Sequence, residues 1–571
     1  MIADSEPLPE PIFLSTSGGT NFGTKAERQL QRPPTERVFR NEGKLAHITK
    51  NVIDQDALRA MDKTGYLDPM NILTDVDVFR LNLIGPLPTI RKVSRFMLRH
   101  APALREQGTM GPPRSPLAYA MPIFTTLKKN ADLRLVQNCT PLNRVYKKPP
   151  SMDLPLIHDL IDEVLRHTRI GQADGVSYFY QFIMSPEVAA YFGVRMGDGR
   201  GNFVDMVMRR MAMGFSWAPM IGQRASNVLI RDLGVAWVDN FIILGHDDAD
   251  FDAKASTFLA RSKAVNLELD AATIVGKLSD VALGIEFDLA AKLYRMDPKW
   301  VEKAVSRIIE FMAKPSMSIM ELYTVAGTLI WHHHVTRHEL CNVPHLLAGV
   351  GRAAREIAKG ADWTSEASLT AELRAEIAVS VNRVRENAWK SPRNRESPTV
   401  DLWSDASDTH WAFLLFAQDV LVAAKQGTTR EENHIFYSEL SVALGALSAA
   451  HHLGHKTARS NIDNAAAAGA LQRGASSNYR ANRWLAGRAP VLTQVRWVST
   501  VDMLADPYTR VPRGGSRPVP LPPLGTTLEE ARERLRANQR AQAQEKTSLR
   551  RPVGWTSNTF HGEKNVPRVV C

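Results

Sequence analysis

Short apolar runs that read as strands, interleaved with amphipathic helical stretches, fill two separate blocks of this sequence, and a charged segment with proline in it, WKSPRNRESPT, divides them. Interleaving of this kind points to α+β or α/β sheet domains. A chain of 571 residues is also too long for one hydrophobic core, so two to four domains are expected. The first block carries PIFTTLKK, LRLVQN, YFYQFIM, AYFGVRM and VAWVDNFIILG as strands, with LPLIHDLIDEVLRHT and APMIGQRASNVLIRDL as helices. Helical patterning follows from about residue 298 to 358. The second block opens at VDLWSDASDTHWAFLLFAQ, runs through the helical IFYSELSVALGALSAAHHL and closes at VRWVSTVDMLADPYTR.

Composition narrows the class. Hydrophobic residues make up 44% and charged residues 23%, an ordinary globular balance. No apolar run reaches roughly 18 residues, so no membrane partner is expected. The opening MIADSEPLPEPIF carries acid and proline where a secretory or mitochondrial signal carries basic and apolar residues. Three cysteines, Cys139, Cys341 and Cys571, are odd in number and far apart, which fits a reducing cytoplasmic or nuclear setting rather than a disulfide framework. A net charge of +11 favours a polyanionic partner, because each phosphate contact releases condensed counterions.

Phosphoryl chemistry assisted by paired divalent cations needs oxygen ligands, and so clustered carboxylates. In the first block Asp174 precedes GVSYFYQFIM, and Asp239 interrupts the apolar run WVDNFIILG. By itself the tripeptide VDN marks a plain hairpin turn. In the second block Asp405 begins a strand in SDASDTHWAF, Glu439 sits on the helix YSELSVALGAL, Asp463 follows a short strand in NIDNAAAA, and Asp506 lies in LADPYTR. A single glutamate on such a helix is by default a surface-edge carboxylate.

The order and spacing of these segments resemble the reverse transcriptases and ribonucleases H of retroelements. LRLVQNCTPLN resembles the fingers segment, which implies that Arg134 binds the incoming triphosphate with Lys128 as a second ligand, Lys129 serving equally. DGVSYFYQF resembles the first catalytic motif, with Asp174, Gln181 and, as steric gate against ribonucleotides, Phe179. MGFSWAPMIGQ resembles the template- and nucleotide-gripping motif, with Gly214, Ala218, Pro219 and Gln223 in register. WVDN stands at the aromatic-x-Asp-Asp hairpin, making Asp239 the second catalytic carboxylate, and VALGIEF resembles the primer grip with Leu283 and Gly284. The second block carries the ribonuclease H series in order: Asp-Ala-Ser, helical Glu-Leu, Asp-Asn and Ala-Asp-x-x-x-Arg. Trp411 fits the aromatic after the opening motif, followed by Ala412-Phe413 in place of Gly-Ala.

The resemblance implies a right-hand polymerase of fingers, palm and thumb followed by a ribonuclease-H-like α/β domain, an α+β multidomain chain. Its layout is a flexible extension (1–45), a helical region (46–110), fingers and palm (111–297), thumb-like helices (298–365), a connection or linker (366–394), the ribonuclease-H-like domain (395–512) and a basic tail (513–571) holding one expected helix, TLEEARERLRANQRAQAQ. It implies RNA-directed DNA polymerisation and RNA cleavage in RNA–DNA hybrids. Asp174, Asp239, Asp405, Glu439, Asp463 and Asp506 are the expected ligands of Mg2+, with Mn2+ as a substitute. RNA template, DNA primer and deoxynucleoside triphosphates are the implied partners. No protease, zinc-knuckle or integrase signature accompanies the pair. That is most similar to the tyrosine-recombinase retrotransposons of the DIRS-like and VIPER-like groups, which implies capsid and recombinase proteins from other reading frames.

Two departures bear on activity. Asn240 stands where the family carries the hairpin's second aspartate, and the basic residue expected near Ala271-Ala272 is displaced, Lys277 being the nearest substitute. Both argue for a slowed polymerase, or for a degenerate copy that binds nucleic acid as a scaffold. Three further clusters have plain readings. His332, His333, His334, His338, Cys341 and His345 fall on the thumb-like helices rather than in a finger-like zinc spacing. HDDADFD reads as a solvated acidic loop, and HHLGHKTAR as a helix end.

Overall fold

The computed structural model describes residues 45–87, 100–127, 132–197, 203–271, 273–392, 397–429, 434–476, 478–511 and 516–548. The expected nucleotide ligand Lys128, with its alternative Lys129, lies outside the described residues, as do most of the N-terminal extension and the last part of the basic tail. The chain divides into two compact units, Met1–Asn394 and Arg395–Cys571, each of mixed helix and strand. No helix among the described residues is long and apolar enough to cross a membrane.

In the first unit a short helix α1 (Gln55–Met61) precedes the hairpin of β1 (Ile123–Leu127) and β2 (Leu133–Gln137). Helix α2 (Ile157–Arg166) leads into β3 (Arg169–Asp174). The run YFYQFIM, expected as a strand, is instead a 3-10 helix over Tyr178–Gln181, entered through Ser177 at φ 50°, which turns the chain out of the sheet. The hairpin of β4 (Gly193–Gly197) and β5 (Phe203–Met208) follows. Then come helix α3 (Ala218–Ile230), the hairpin of β6 (Gly234–Trp237) and β7 (Asn240–Gly245), and helix α4 (Asp248–Ala264). Strand β7 is central in the antiparallel order β3-β7-β6. Its continuous apolar run, Phe241 to Leu244, is buried on both faces, as an unbroken apolar strand requires. Helices α3 and α4 both pack on it. The α4 packing is close: a Cβ on Gly171 or Gly245 would stand 2.5 Å from Phe251. The acidic loop HDDADFD begins that helix, Asp247 capping it by accepting the Asp250 N–H at 2.8 Å.

Residues 49–51 and Gln107 are tied to the segment that follows β5 by one buried cation. Arg210 donates to the main-chain oxygens of Thr49, Lys50, Asn51, Gln107 and Tyr180 at 2.8–2.9 Å. Five carbonyls converging on one guanidinium satisfy both a buried charge and segments without strand pairing of their own.

A meander of β8 (Ser279–Ala282), β9 (Ile285–Asp288) and β10 (Leu293–Met296) follows. Its first turn is the Leu283-Gly284 pair, at φ of 54° and 76°, the double left-handed turn that suits strand twist. Helices α5 (Pro298–Met312), α6 (Ile319–Thr336), α7 (Pro344–Ala358) and α8 (Ala371–Glu386) complete the unit. Helix α8 occupies most of the stretch read as a connection or linker. Leu373, Ile377, Val381 and Val384 make one buried stripe at helical spacing, and the helix packs on α5, α6 and α7. Within α6, His332 and His333 are buried, and burial pushes their imidazoles down to about 3 and about 4.

The second unit is a five-stranded mixed sheet. Strands β11 (Asp401–Ala406), β12 (His410–Ala417) and β13 (Val420–Thr428) form an antiparallel meander, and helix α9 (Ile435–His452) packs on β11 and β12. Strand β14 (Thr457–Ile462) pairs parallel to β11; helices α10 (Ala465–Arg473) and α11 (Tyr479–Ala486) lead to β15 (Leu492–Trp497), parallel to β14. The order is β13-β12-β11-β14-β15. The stretch read as a basic tail contributes helix α12 (Leu528–Ser548), whose Leu528, Ala531 and Leu535 share a core with Trp403, Leu414, Phe416 and Met503. Each leucine so buried contributes about 1.5–3 kcal/mol, so this apolar stripe holds the helix on the sheet despite its charged composition.

Two candidate carboxylate sites

The first site forms where β3 ends beside the β6–β7 turn. Asp174 is the last residue of β3 and the cross-strand partner of Asn240. Asp239 lies in the two-residue turn, preceded by Val238 at φ 56°, a conformation that costs a β-branched residue strain. The surroundings hold it there. Val238 donates its N–H to Gln223 Oε1 at 2.6 Å, Ser226 Oγ bonds Val238 O, and Gly175 N donates to Asp239 O at 2.9 Å. The last bond ties the two aspartate-bearing segments together.

Gln223 also donates Nε2 to Ala236 O at 3.0 Å and Asn227 Oδ1 at 2.8 Å, and it is fully buried. Gln181 is likewise buried, donating to Val176 O and Glu268 O while accepting the Glu268 N–H at 2.8 Å. A buried amide must satisfy donor and acceptor alike. Both glutamines, expected at the nucleotide, therefore bond the main chain that frames the aspartates. Gly214 is needed for backbone reasons: at φ 121°, a Cβ there would stand 2.2 Å from Gln137 O. Phe179 is half-buried, its ring edge 3.1 Å from where a Cβ on Gly222 would stand.

Burial and the nearby charges of Asp270 and Asp239 push the Asp174 carboxyl up to about 6. Burial also raises Asp239, against which the positive charge of Arg134 on β2 works. Asp270 escaped the sequence reading. It accepts the Asp174 N–H on Oδ1 at 2.7 Å and donates its own N–H to Asp174 O at 2.9 Å. The signal available was an acid where the family's basic residue is displaced. Lys277 lines the same cavity of about 360 Å³ with Asp174, Asn240 and Asp270, and pairs with Asp280 at 3.2 Å.

The second site is denser in charge. Asp405 near the end of β11, Glu439 on α9 and Asp463 just after β14 each bring a carboxylate oxygen within 4.8 Å of the others. Among the described residues this is the only such group of possible metal ligands. Asp506, in a short turn at Asp506–Tyr508, is joined to Arg510 at 2.6 Å, and its charge is felt at Asp405. Thr509 donates to Asp405 Oδ2 at 2.6 Å and Thr500 to Asp463 Oδ2 at 2.9 Å. Asp405 and Glu439 are buried. Burial first, and mutual repulsion second, push both carboxyls well above the usual carboxylate range; burial likewise raises Asp506. Glu439 Oε2 is buried without a hydrogen-bond partner among the described residues. An orphaned carboxylate oxygen among further acids is a donor set that fits a hard divalent cation. Trp411 stays clear of this chemistry: its N–H bonds Thr428 O across the hairpin at 3.1 Å.

No family model and no curated protein matches this chain. Among solved structures it is similar to a foamy viral protease–reverse transcriptase in a dRH form with double-stranded DNA, at TM-score 0.46 and 12% identity, over 80% of this chain and 84% of that one. It is similar to the same viral protein with double-stranded DNA, at TM-score 0.46 and 12% identity, over 80% and 99%. A third such structure, with an RNA/DNA hybrid, aligns at TM-score 0.45 and 13% identity, over 83% and 65%.

Proposed function

We propose that this protein is a retroelement reverse transcriptase: an RNA-directed DNA polymerase in its first unit and a ribonuclease H acting on RNA–DNA hybrids in its second. The observation that carries the reading is the convergence of Asp405, Glu439 and Asp463, from a strand, a helix and a second strand, beside Asp506. Those four acids are the ones the ribonuclease H resemblance names, and they lie far apart in sequence.

Asp174 and Asp239 are the proposed ligands in the polymerase, and Asp405, Glu439, Asp463 and Asp506 in the nuclease. Mg2+ or Mn2+ bound there would polarise the phosphoryl oxygens and neutralise developing charge. The chain's own residues set the geometry. Gln223 and Ser226 hold the Asp239 turn, Asp270 holds the Asp174 main chain, and Thr509 and Thr500 orient two carboxylates. Arg134 lies close enough to influence Asp239 and is assigned to the triphosphate, with Lys128 as its partner and Phe179 as the gate. Residues 111–297 serve as fingers and palm, 298–365 as thumb and 395–512 as the nuclease. Template RNA, primer DNA and deoxynucleoside triphosphates are its partners, and it resembles the DIRS-like and VIPER-like groups. Element-encoded capsid and recombinase would accompany it in the cytoplasm or nucleus.

A second reading, a scaffold that binds nucleic acid without polymerising, is favoured by Asn240, which puts a neutral amide opposite Asp174. One labelled RNA–DNA hybrid tests both, with extension and cleavage followed in Mg2+ or Mn2+ beside an Asn240→Asp variant. Extension and cleavage by the native protein support the enzyme. Binding with neither activity, unchanged in the variant, leaves the scaffold.

A further inference from the structure

Trp497 ends strand β15 and pairs with Ile462, the residue just before Asp463. Its side of the sheet edge is open: the residue is 58% exposed, although a side chain of this size is ordinarily well buried. The ring is nevertheless held in place. Its Nε1–H donates to Asp463 O at 2.8 Å, while Asp463 Oδ2 accepts from Thr500 at 2.9 Å. One bond therefore ties the exposed indole to the Asp463 main chain, and the other orients the Asp463 carboxylate beside it. Val501, 67% exposed, lies in the turn just beyond. More than half of this large side chain thus stays in water at the rim of a charged cluster.

We infer that Trp497 is a substrate-contacting residue, its indole packing on the sugars of the nucleic-acid strand whose phosphate enters the carboxylate cluster. The inference rests on reading that cluster as a hybrid-cleaving centre. In a duplex the bases are stacked inward, and an A-like hybrid presents its sugars and 2′-hydroxyls along a wide, shallow minor groove. An aromatic face already fixed in position meets such a surface with little loss of side-chain entropy.

The test uses the full chain with Trp497→Ala and Trp497→Phe. Steady-state cleavage of a labelled RNA–DNA hybrid is measured, and so is hybrid binding by fluorescence anisotropy in an Asp405→Asn background. Trp497→Ala is expected to raise KM and weaken binding about tenfold, within the range of aromatic–nucleotide contacts, with kcat within about twofold. Trp497→Phe keeps the ring and loses the N–H, and is expected to bind within about threefold of native. Binding by Trp497→Ala equal to native overturns the inference. So does an equal fall in kcat for both variants with binding intact, because the indole would then only be holding Asp463. If Trp497→Ala fails to fold, Trp497→Leu, which keeps apolar bulk but removes the aromatic face, is measured in its place and is expected to raise KM and weaken binding several-fold relative to Trp497→Phe; binding equal to Trp497→Phe overturns the inference. A native protein that binds hybrid without cutting it would remove the cleavage reading, while the anisotropy series would still decide the contact.

Discussion

The two carboxylate sites place similar acids in different settings. In the first unit Asp174 and Asp239 sit on a strand end and in a tight turn, with a neutral Asn240 opposite Asp174, and buried amides do the holding. In the second, Asp405 and Glu439 are buried with Asp463 and Asp506 close by, and one carboxylate oxygen has no partner among the described residues. The first arrangement is held by ordinary hydrogen bonds whatever its ionisation. The second keeps its charges only if protons or a cation offset them, since burying uncompensated like charges is expensive. Charge density, more than the number of matched motifs, sets the two sites apart.

The largest effect that would sharpen this contrast is at Asp405. Asp405→Asn should lower hybrid cleavage by roughly a thousandfold or more, the scale of losing a preorganised electrostatic group, and leave primer extension unchanged. Loss of both activities in gel assays would mean that the sites are not independent. Next is the missing acid. Asn240→Asp should raise extension about tenfold by restoring a charge beside two expected cation ligands, without altering cleavage; an unchanged extension rate would break the view that Asn240 limits the polymerase.

Gln223→Ala removes the acceptor of the Val238 N–H and leaves buried groups unpaired, at a cost of about 1–3 kcal/mol. Extension should fall about tenfold with cleavage intact, as measured beside chemical denaturation. The smallest effect is thermal. The raised carboxyls of the second site bind protons more tightly folded than unfolded. Stability of the metal-free protein therefore falls as pH rises from the ordinary carboxylate range through their raised values. Mg2+ should accordingly raise the melting temperature of the second unit by a few degrees, more at about pH 8 than at about pH 5. Asp405→Asn should shrink that difference; a metal effect independent of pH would break the comparison.

Much of this was legible in the sequence, for identifiable reasons. Phe241 to Leu244 announce a buried strand because both faces of a central strand must be apolar, and Leu283-Gly284 announces a turn because glycine suits a left-handed backbone. The four acids of the second site could be named only because their order and spacing resemble the ribonuclease H series; taken alone, Glu439 reads as a surface-edge carboxylate. Less legible was anything set by partners distant along the chain. Helix α8 looked like a linker because its flanks are charged and proline-bearing, yet its apolar stripe finds three helices to pack on. Helix α12 was legible as a helix in TLEEARERLRANQRAQAQ, but its docking was not, because charged residues outnumber its few apolar ones, which suffice once a sheet face receives them.

The sequence by itself determined where carboxylates end or interrupt apolar runs, most of the strand runs though not YFYQFIM, and that Asn240 departs from the acid the resemblance implies, because these depend on residue identity and order along the chain. Only the tertiary structure decided that Gln181 and Gln223 bond the main chain beside the two aspartates. It alone brought Asp270 against Asp174 across 96 residues, and turned Trp497 outward beside Asp463. A side chain's role follows from what burial leaves unsatisfied around it, and that is fixed only when distant segments meet.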